Sequence, residues 1–499
     1  MANNPINKAV VSFQEWARYN FMIRKLNTAF GVLVLAVCAI AISYIAVLKD
    51  MKMAVMIVGG LGGVLLMILC LLYPIFGFYF TYFVSLFISL PERLTTSGAV
   101  IPTGLIPEYF SYITLVGVIT KQEFRKEITS KFWTHALTIW MIVLLFYYLL
   151  EFFNPAMHGK LGWFNFIRKQ GSLFAFFYIS YCLMNSRKAV RQITNFWILV
   201  SVFEAAYACK QQFFGLFGFE TRWLMSDPIR MELFINWGFT RKFGLLSDPA
   251  SSGILYAACG TFILILALRE TEKRRRVWLY FASILNIMAS SYSGTRTATM
   301  MIVLGIVFYG INTLYEKKTI IFMSFCGIML TGILVAPIYD NAVINRVRST
   351  FEPSTDNSAV IRDVNRKSVQ PYIYRHPIGG GIYTCGNIGM LYNPGHFLSH
   401  VPPDSGYMQI LMDQGYIGLF LTLIFYFTIL RTGTRHFYRV KDPELKTLYI
   451  ANLVFIFSIM AAQISQMAIP MYPSVFYLYT AFALLLKMHY FDTAKKEEN

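Results

Sequence analysis

An arginine stands among small hydroxyl residues in the stretch SSYSGTRTATM, residues 290–300, which lies between two long apolar runs. A charged side chain near the hydrocarbon of a membrane is costly, so Arg296 is expected to have a binding role. A guanidinium group binds a phosphate group through two parallel hydrogen bonds. The residue type at this position therefore suggests anion binding.

Further basic residues occur in two segments, 217–248 and 338–404, on the same predicted side of the membrane. They are Arg222, Arg230, Arg241, Lys242, Arg346, Arg348, Arg362, Arg366, Lys367 and Arg375. An arginine-rich pocket at the membrane surface suits a phosphate group. The alternative is that these residues contact anionic lipid headgroups or pair with Asp340, Asp356 and Asp363.

The elements that must position these residues are apolar runs. The chain has 499 residues, of which 56% are hydrophobic and 14% charged. Many runs reach about 20 residues, the length that crosses a bilayer as a helix. They are continuous, whereas the strands of a membrane barrel alternate. The sequence therefore predicts an all-α polytopic membrane protein.

The net charge of +18 is concentrated in short links such as RETEKRRRV (269–277) and RTGTRHFYRVKDPELK (431–446). Basic links of this kind mark the cytoplasmic side of a membrane protein. The charge therefore indicates topology and contact with membrane lipids, and it argues against nucleic-acid binding.

From these anchors we predict about fourteen spans, or twelve if the weakest two, 74–90 and 104–119, do not cross. The others are 29–47, 53–72, 132–150, 170–185, 195–216, 249–268, 277–293, 298–314, 319–337, 405–430, 446–465 and 471–488. Both termini are then cytoplasmic, and residues 338–404 form one large extracytoplasmic loop. Residues 1–499 are predicted to form a single integral membrane domain.

No metal site or cofactor is predicted. The sequence has no D-x-D carboxylate pair, and no two of its seven cysteines have metal-ligand spacing. The glycines of IGGG (378–381) are expected to form a flexible turn, with a phosphate cradle as the weaker reading. In SDP (247–249), Asp248 is expected to cap a helix that starts at Pro249.

Four segments resemble motifs of the O-antigen ligase and polymerase superfamily. They are RKFGLLSDPASSG (241–253), SSYSGTRTA (290–298), IRDVNRKSVQPYIYRHPIGGGIYTCG (361–386) and PDSGYMQILMDQGYIGLFL (403–421). The resemblance implies an enzyme of the bacterial inner membrane that transfers glycans from undecaprenyl pyrophosphate at the outer, periplasmic face. It favours a polymerase of O-antigen or exopolysaccharide repeat units, with a chain-length regulator as a partner.

Two other functions stay open. One is an O-antigen ligase that passes the glycan to lipid A core. The other is a non-enzymatic transporter or flippase of lipid-linked sugars. A transporter should carry ionisable residues at mid-membrane depth, and here Glu204 and Lys210 are the exceptions in spans that are otherwise nearly free of charge.

The resemblance also assigns roles to residues. Arg241 and Arg296 would hold the pyrophosphate, and Arg362 matches a third arginine of the pattern. Transfer also needs a base for the acceptor hydroxyl. Where the ligases have histidine and asparagine, this chain has Asp404 and Ser405, while His400 lies four residues earlier. The alternatives are that Asp404 caps the following helix and that His400 is an ordinary loop residue.

Overall fold

The computed structural model describes residues 51–95, 103–124, 131–236, 238–337, 342–351 and 357–492, with a few isolated residues before Met51. Most of the predicted span at 29–47 lies outside the described residues, as do Asp340 and Asp356.

The described chain is almost entirely helical. In chain order the helices are α1 (Met51–Leu72), α2 (Pro74–Leu86), α3 (Leu90–Thr95), α4 (Leu105–Thr120), α5 (Ala136–Leu150), α6 (Leu161–Leu183), α7 (Arg187–Phe213), α8 (Gly218–Met225), α9 (Pro228–Phe234), α10 (Pro249–Arg269), α11 (Lys273–Tyr292), α12 (Arg296–Thr313), α13 (Lys317–Val335), α14 (Ala342–Arg348), α15 (Asn357–Arg375), α16 (Gly386–Tyr392), α17 (Gly406–Arg439), α18 (Pro443–Ala462) and α19 (Ser474–Lys487). Two short strands, β1 (Ile235–Asn236) and β2 (Phe239–Thr240), pair antiparallel, with Ile235 opposite Thr240.

Among the described residues, six helical segments are long and apolar enough to cross a membrane: Ala136–Phe153, Pro249–Arg269, Arg296–Thr313, Lys317–Val335, Gly406–Arg439 and Pro443–Ala462. The protein is an all-α polytopic membrane protein. The number of spans stays a prediction, because several apolar helices are short. Helix α2, for example, has 13 residues, which gives a length of about 20 Å against a hydrocarbon core of about 30 Å.

Helix α10 lies at the centre of the core, where it packs against α11, α12 and α18. It is buried along most of its length. It begins as the sequence predicts, because the carboxylate of Asp248 accepts a hydrogen bond from the amide of Ser251 at 2.9 Å and Pro249 is the first helical residue. Its 21 residues give a length of about 30 Å, which separates two ends of the bundle.

At one end the basic links come together with acidic partners. The two terminal nitrogens of Arg269 donate to the two carboxylate oxygens of Glu316 at 3.0 and 2.9 Å. Nη2 of Arg191 donates to both carboxylate oxygens of Glu444 at 2.7 and 2.8 Å. The boundaries differ from the prediction, since α17 continues to Arg439 and α11 already begins at Lys273. A helix can continue beyond the apolar layer where its side chains are long and basic, because their charges still reach water.

Candidate functional site

The opposite end of the bundle contains the turn between α11 and α12. The hydroxyl of Ser293 donates to the carbonyl of Ser290 at 2.7 Å, and the hydroxyl of Thr295 donates to the carbonyl of Pro249 at 3.0 Å. Thr295 precedes the helix, and Arg296 is its first residue. The small hydroxyl residues around Arg296 therefore fasten its turn to the start of α10.

Arg241 binds this same turn. Its Nε donates to the carbonyl of Ser293 at 2.9 Å, its Nη2 to Oγ1 of Thr295 at 3.1 Å, and its Nη1 to the carbonyl of Leu233 at 3.1 Å. A guanidinium has five N–H groups, so each terminal nitrogen keeps one N–H beyond these three bonds. Burial lowers the pKa of Arg241, and the nearby Asp248 opposes that shift.

The segment after Arg241 is held by side chains from α7. Oε1 of Gln211 accepts hydrogen bonds from the amides of Phe243 and Gly244 at 3.2 and 2.9 Å. Oε2 of Glu204 accepts from the amide of Leu245 at 3.4 Å. Buried backbone groups need such partners. Glu204, one of the two charged residues that the sequence places inside a span, therefore has a structural role.

Arg93 completes this support, and sequence reasoning missed it. Its guanidinium is fully buried and donates to the carbonyls of Gly244, at 2.9 Å, and Leu246. A carboxylate oxygen of Glu220 lies 3.9 Å away, and burial lowers the pKa of Arg93 to about 10. In the sequence, Arg93 is only a charged residue beside an apolar run, because its partners lie more than a hundred residues away in the chain.

Gly244 is required by both conformation and space. Its φ is +56°, in the left-handed region that favours glycine. A Cβ atom at this position would lie 2.1 Å from the hydroxyl of Tyr256. The glycine therefore lets the segment that carries Arg241 lie directly against α10.

Arg362 lies on α15, close enough to Arg296 for the two positive charges to repel each other. Like charges placed together favour an anion between or beside them. In the structure, Arg241 therefore bonds to the turn that leads into Arg296, and the charge of Arg362 acts on Arg296.

The other basic residues of these segments have different surroundings. Arg230 pairs with Glu92 at 3.1 Å and covers the ring of Trp223. Asp363 pairs with Lys367 at 2.7 Å rather than with an arginine. Arg222, Arg366 and Arg375 are exposed.

The two candidate bases differ in environment. His400 is exposed at the end of a short 3-10 helix, Phe397–His400. Asp404 is half-buried, and its carboxylate has no hydrogen bond or ion pair with the described residues. Asp404 does not cap α17. The cap is Ser405, whose hydroxyl accepts from the amide of Met408 at 3.1 Å, because its backbone is the extended one that precedes the helix.

The glycine turn packs against a kink in α17. The amides of Gly380 and Gly381 donate to the carbonyls of Met412 and Asp413, both at 2.8 Å. The kink is at Gly415, whose φ is +65°. Because these turn amides already donate to protein, the alternative of a phosphate cradle at IGGG is wrong, and the turn is fixed in place.

Asp413 is a second residue that sequence reasoning missed. It is buried, and its Oδ1 accepts from both the amide and the hydroxyl of Thr384 at 3.2 Å. It therefore ties the end of the large loop to α17. In the sequence, Asp413 is a lone aspartate inside an apolar run, directly before the Gln-Gly pair at the kink.

Comparison with known families gives one match. Residues 281–423 match the family described as O-antigen ligase. The match covers less than a third of the chain and supports its resemblance to the O-antigen ligase/polymerase superfamily. A search of curated proteins found no match. The matched segment includes Arg296, Arg362, His400 and Asp404, whereas Arg241 lies outside it.

This match indicates a membrane enzyme that transfers glycans, with lipid-linked glycans as substrates. The three arginines, at the end opposite the basic links, can bind a phosphate-containing group. Within the described residues, no group of three or more histidine, cysteine, aspartate or glutamate side chains is placed to hold a metal ion.

Proposed function

We propose that the protein polymerises repeat units carried on undecaprenyl pyrophosphate, at the outer face of the bacterial inner membrane. The observation that carries this proposal is the bonding of Arg241 to the turn that begins at Ser293 and leads into Arg296. Two guanidinium groups held at one turn, with Arg362 nearby, suit the two phosphates of the lipid carrier.

The proposed reaction breaks the bond between the anomeric carbon of the donor sugar and a pyrophosphate oxygen. The arginines neutralise the charge that develops on the leaving pyrophosphate, in the role that a metal ion fills in other glycosyltransferases. The oxygen of an acceptor hydroxyl forms the new glycosidic bond, and its proton passes to Asp404 or, in the alternative, His400.

A ligase that transfers the glycan to lipid A core is the second candidate. The description of the matched family favours it. The presence of Asp404 and Ser405, where the ligases have histidine and asparagine, supports the polymerase. A transporter has less support, because Glu204 binds the amide of Leu245 and Lys210 donates to the carbonyl of Gly215 at 2.9 Å.

Inactivation of the gene in its host separates the two enzymes. Loss of a polymerase leaves single repeat units on the outer glycan, whereas loss of a ligase leaves full-length polymer on the lipid carrier. We expect the first product, restored by the wild-type gene. Accumulated lipid-linked polymer would identify the ligase instead, and an unchanged glycan would contradict both.

The proposed orientation is tested by cysteine labelling. Gly395 and Lys273 are both exposed, and they lie at the opposite predicted faces of the membrane. In intact spheroplasts, Gly395→Cys should react with an impermeant thiol reagent and Lys273→Cys should not. Labelling of Lys273→Cys alone would invert the topology and exclude transfer at the outer face.

A further inference from the structure

A cavity of about 350 Å³ lies between α5, α6, α17 and α19. This volume is within the range of about 300–1,000 Å³ typical of ligand sites. Arg241, Arg296 and Arg362 do not line it, so it is separate from the proposed pyrophosphate site.

The cavity extends along the helices. Helix α6 lines it with one face, which includes Phe166, Lys169 and Phe174, because residues three to four positions apart lie above one another on a helix. The distance from Phe166 to Phe174 is about 12 Å along the helix axis. Helix α5 lines the cavity over about two turns, from Met141 to Tyr148. A slot that runs parallel to the helices fits an extended hydrocarbon chain better than a compact ring.

The two ends of this slot differ in polarity. At one end the lining includes Lys169, Gln409 and Gln463. Farther along α17 and α19 it includes Phe425 and Phe482, whose rings pack edge to face with centroids 5.8 Å apart. A lipid has the same gradient, with a polar group at one end of an apolar chain. Such a ligand would bury its chain among apolar side chains without leaving its polar group unpartnered.

The polar end of the slot lies near the arginine turn. The carbonyl of Gln463 accepts from the amide of Gly406, the first residue of α17, at 3.0 Å. Two residues later in the chain, the hydroxyls of Ser465 and Thr297 are 2.7 Å apart, and Thr297 directly follows Arg296. A lipid in the slot would therefore have its head group at the same end of the bundle as the arginines.

The charge at this end is positive. The ammonium group of Lys169 donates to the carbonyl of Pro470 at 3.2 Å and lies over the ring of Tyr472, 4.7 Å from its centroid. An ammonium group has three N–H donors, so two remain. The charge of Glu108 reaches Lys169, but its carboxylate is bound by Nε of Arg168 at 2.8 Å. Two cations thus share one carboxylate, which favours an anion beside them.

One acidic residue, Asp413, is among the described residues that line the cavity. Its Oδ1 accepts hydrogen bonds from the amide and the hydroxyl of Thr384, both at 3.2 Å, so it bonds to the large loop. Lys169 is the one basic residue in the same described lining. It is therefore the group that would bind an anionic head group, and lysine binds phosphate as a point charge.

We propose that this cavity binds one hydrocarbon chain of an anionic lipid, with a phosphate group at Lys169 and the chain directed towards Phe425 and Phe482. An isoprenoid phosphate and an acyl phospholipid share this chemistry. The lipid site itself does not depend on the proposed function. An isoprenoid occupant would be the second lipid-linked substrate of a polymerase, and that assignment alone rests on the proposed function.

The test uses the full chain, purified in detergent and freed of lipid, with a lysophosphatidic acid whose acyl chain carries a diazirine. Illumination links the chain to the residues it contacts, and mass spectrometry of the peptides locates them. We expect linked residues within 141–148, 166–174, 422–426 and 475–482. Unlabelled geranylgeranyl phosphate and unlabelled lysophosphatidic acid then compete in separate samples. Stronger competition by the first would identify the isoprenoid carrier, and stronger competition by the second a membrane phospholipid; either supports the site.

Lys169→Met should lower the yield about tenfold or more at probe concentrations below saturation, the effect of losing a hydrogen bond to a charged group. The matched control is Lys160→Met. Lys160 also lies at the start of α6, donates to a carbonyl, that of Phe152 at 2.8 Å, and lies over an aromatic ring, but it does not line the cavity. Its yield should equal that of the wild type.

A second pair of variants tests the apolar part of the slot and serves if Lys169→Met does not fold. Leu145→Trp fills the cavity and should reduce the yield, whereas Leu149→Trp, at an exposed position outside the cavity, should not. Links found only outside the cavity, or yields that neither test variant lowers relative to its control, would overturn the proposal. Arg241→Lys should leave these links unchanged, and normal polymer from that variant would contradict the proposed function without affecting the lipid site.

Discussion

Nη2 of Arg241 donates a 3.1 Å hydrogen bond to Oγ1 of Thr295, the residue directly before Arg296. Two arginines that lie 55 positions apart in the chain are therefore held at one turn. A shift of either one would alter the position of the other.

The first prediction concerns these two arginines. Arg241→Lys and Arg296→Lys should each reduce polymer formation by about 100-fold or more, the effect of removing a donor that stabilises developing charge. Lysine keeps the charge but loses the forked geometry. The amount of polymer formed in a complementation assay measures the effect, with protein levels checked by immunoblot.

Arg222→Lys is the matched control, because Arg222 is exposed in the same segment as Arg241, residues 217–248. It should behave as wild type. Normal polymer from both test variants would show that the arginines do not bind the pyrophosphate.

The second prediction identifies the base. Asp404→Asn should lower activity about 10²–10⁴-fold, because asparagine cannot accept the proton, whereas His400→Gln should retain it. The helix cap stays intact in both variants, since Ser405 provides it. Initial rates of polymerisation in membranes give the measurement. An active Asp404→Asn and an inactive His400→Gln would assign the base to the histidine.

The third prediction tests the packing of Gly244. Gly244→Ala should lower the thermal unfolding midpoint and abolish activity, because the new Cβ would lie 2.1 Å from the hydroxyl of Tyr256. Adding Tyr256→Phe removes that hydroxyl and should restore part of the stability, leaving about 1–2 kcal/mol from the left-handed backbone. Gly395→Ala, at a site with open space, should change neither property.

The fourth prediction concerns the buried guanidinium of Arg93. Arg93→Met would leave the carbonyls of Gly244 and Leu246 without their donor and Glu220 without its counter-charge. Breaking a buried ion pair costs about 3–5 kcal/mol. Denaturation in detergent should show that loss, and the exposed control Arg366→Met should not. Equal stability of the two variants would contradict the supporting role.

The fifth prediction is a pH dependence in the large loop that precedes α17. Burial, together with His158 and His376, lowers the pKa of His396 below its usual 6.5. The amide of Leu398 donates to Nδ1, and Nε2 lies 3.1 Å from the hydroxyl of Tyr372. The neutral ring therefore stabilises the fold above about pH 6.5, and that contribution is lost as the pH falls through the lowered pKa.

Limited proteolysis of residues 393–404 should accordingly speed up between about pH 7.5 and about pH 5.5. His396→Gln cannot titrate and should remove most of that change. An unchanged pH dependence in this variant would show that His396 is not its source.

The sequence by itself determined that the protein is all-α and that Arg296 stands between two long apolar runs. Long continuous apolar runs have to form helices in a bilayer, because their backbone groups find no other partners there. The start of α10 could also be predicted, since Asp248 and Pro249 act on their own immediate neighbours. The arginines could be grouped as a candidate site because residue type and order along the chain are read directly from the sequence.

Only the tertiary structure decided how the site is held. Arg93, Gln211 and Glu204 support one segment from distant helices, and no local pattern records such contacts. The cap of α17 was ambiguous, because Asp404 and Ser405 can both cap a helix and the choice depends on where the backbone turns.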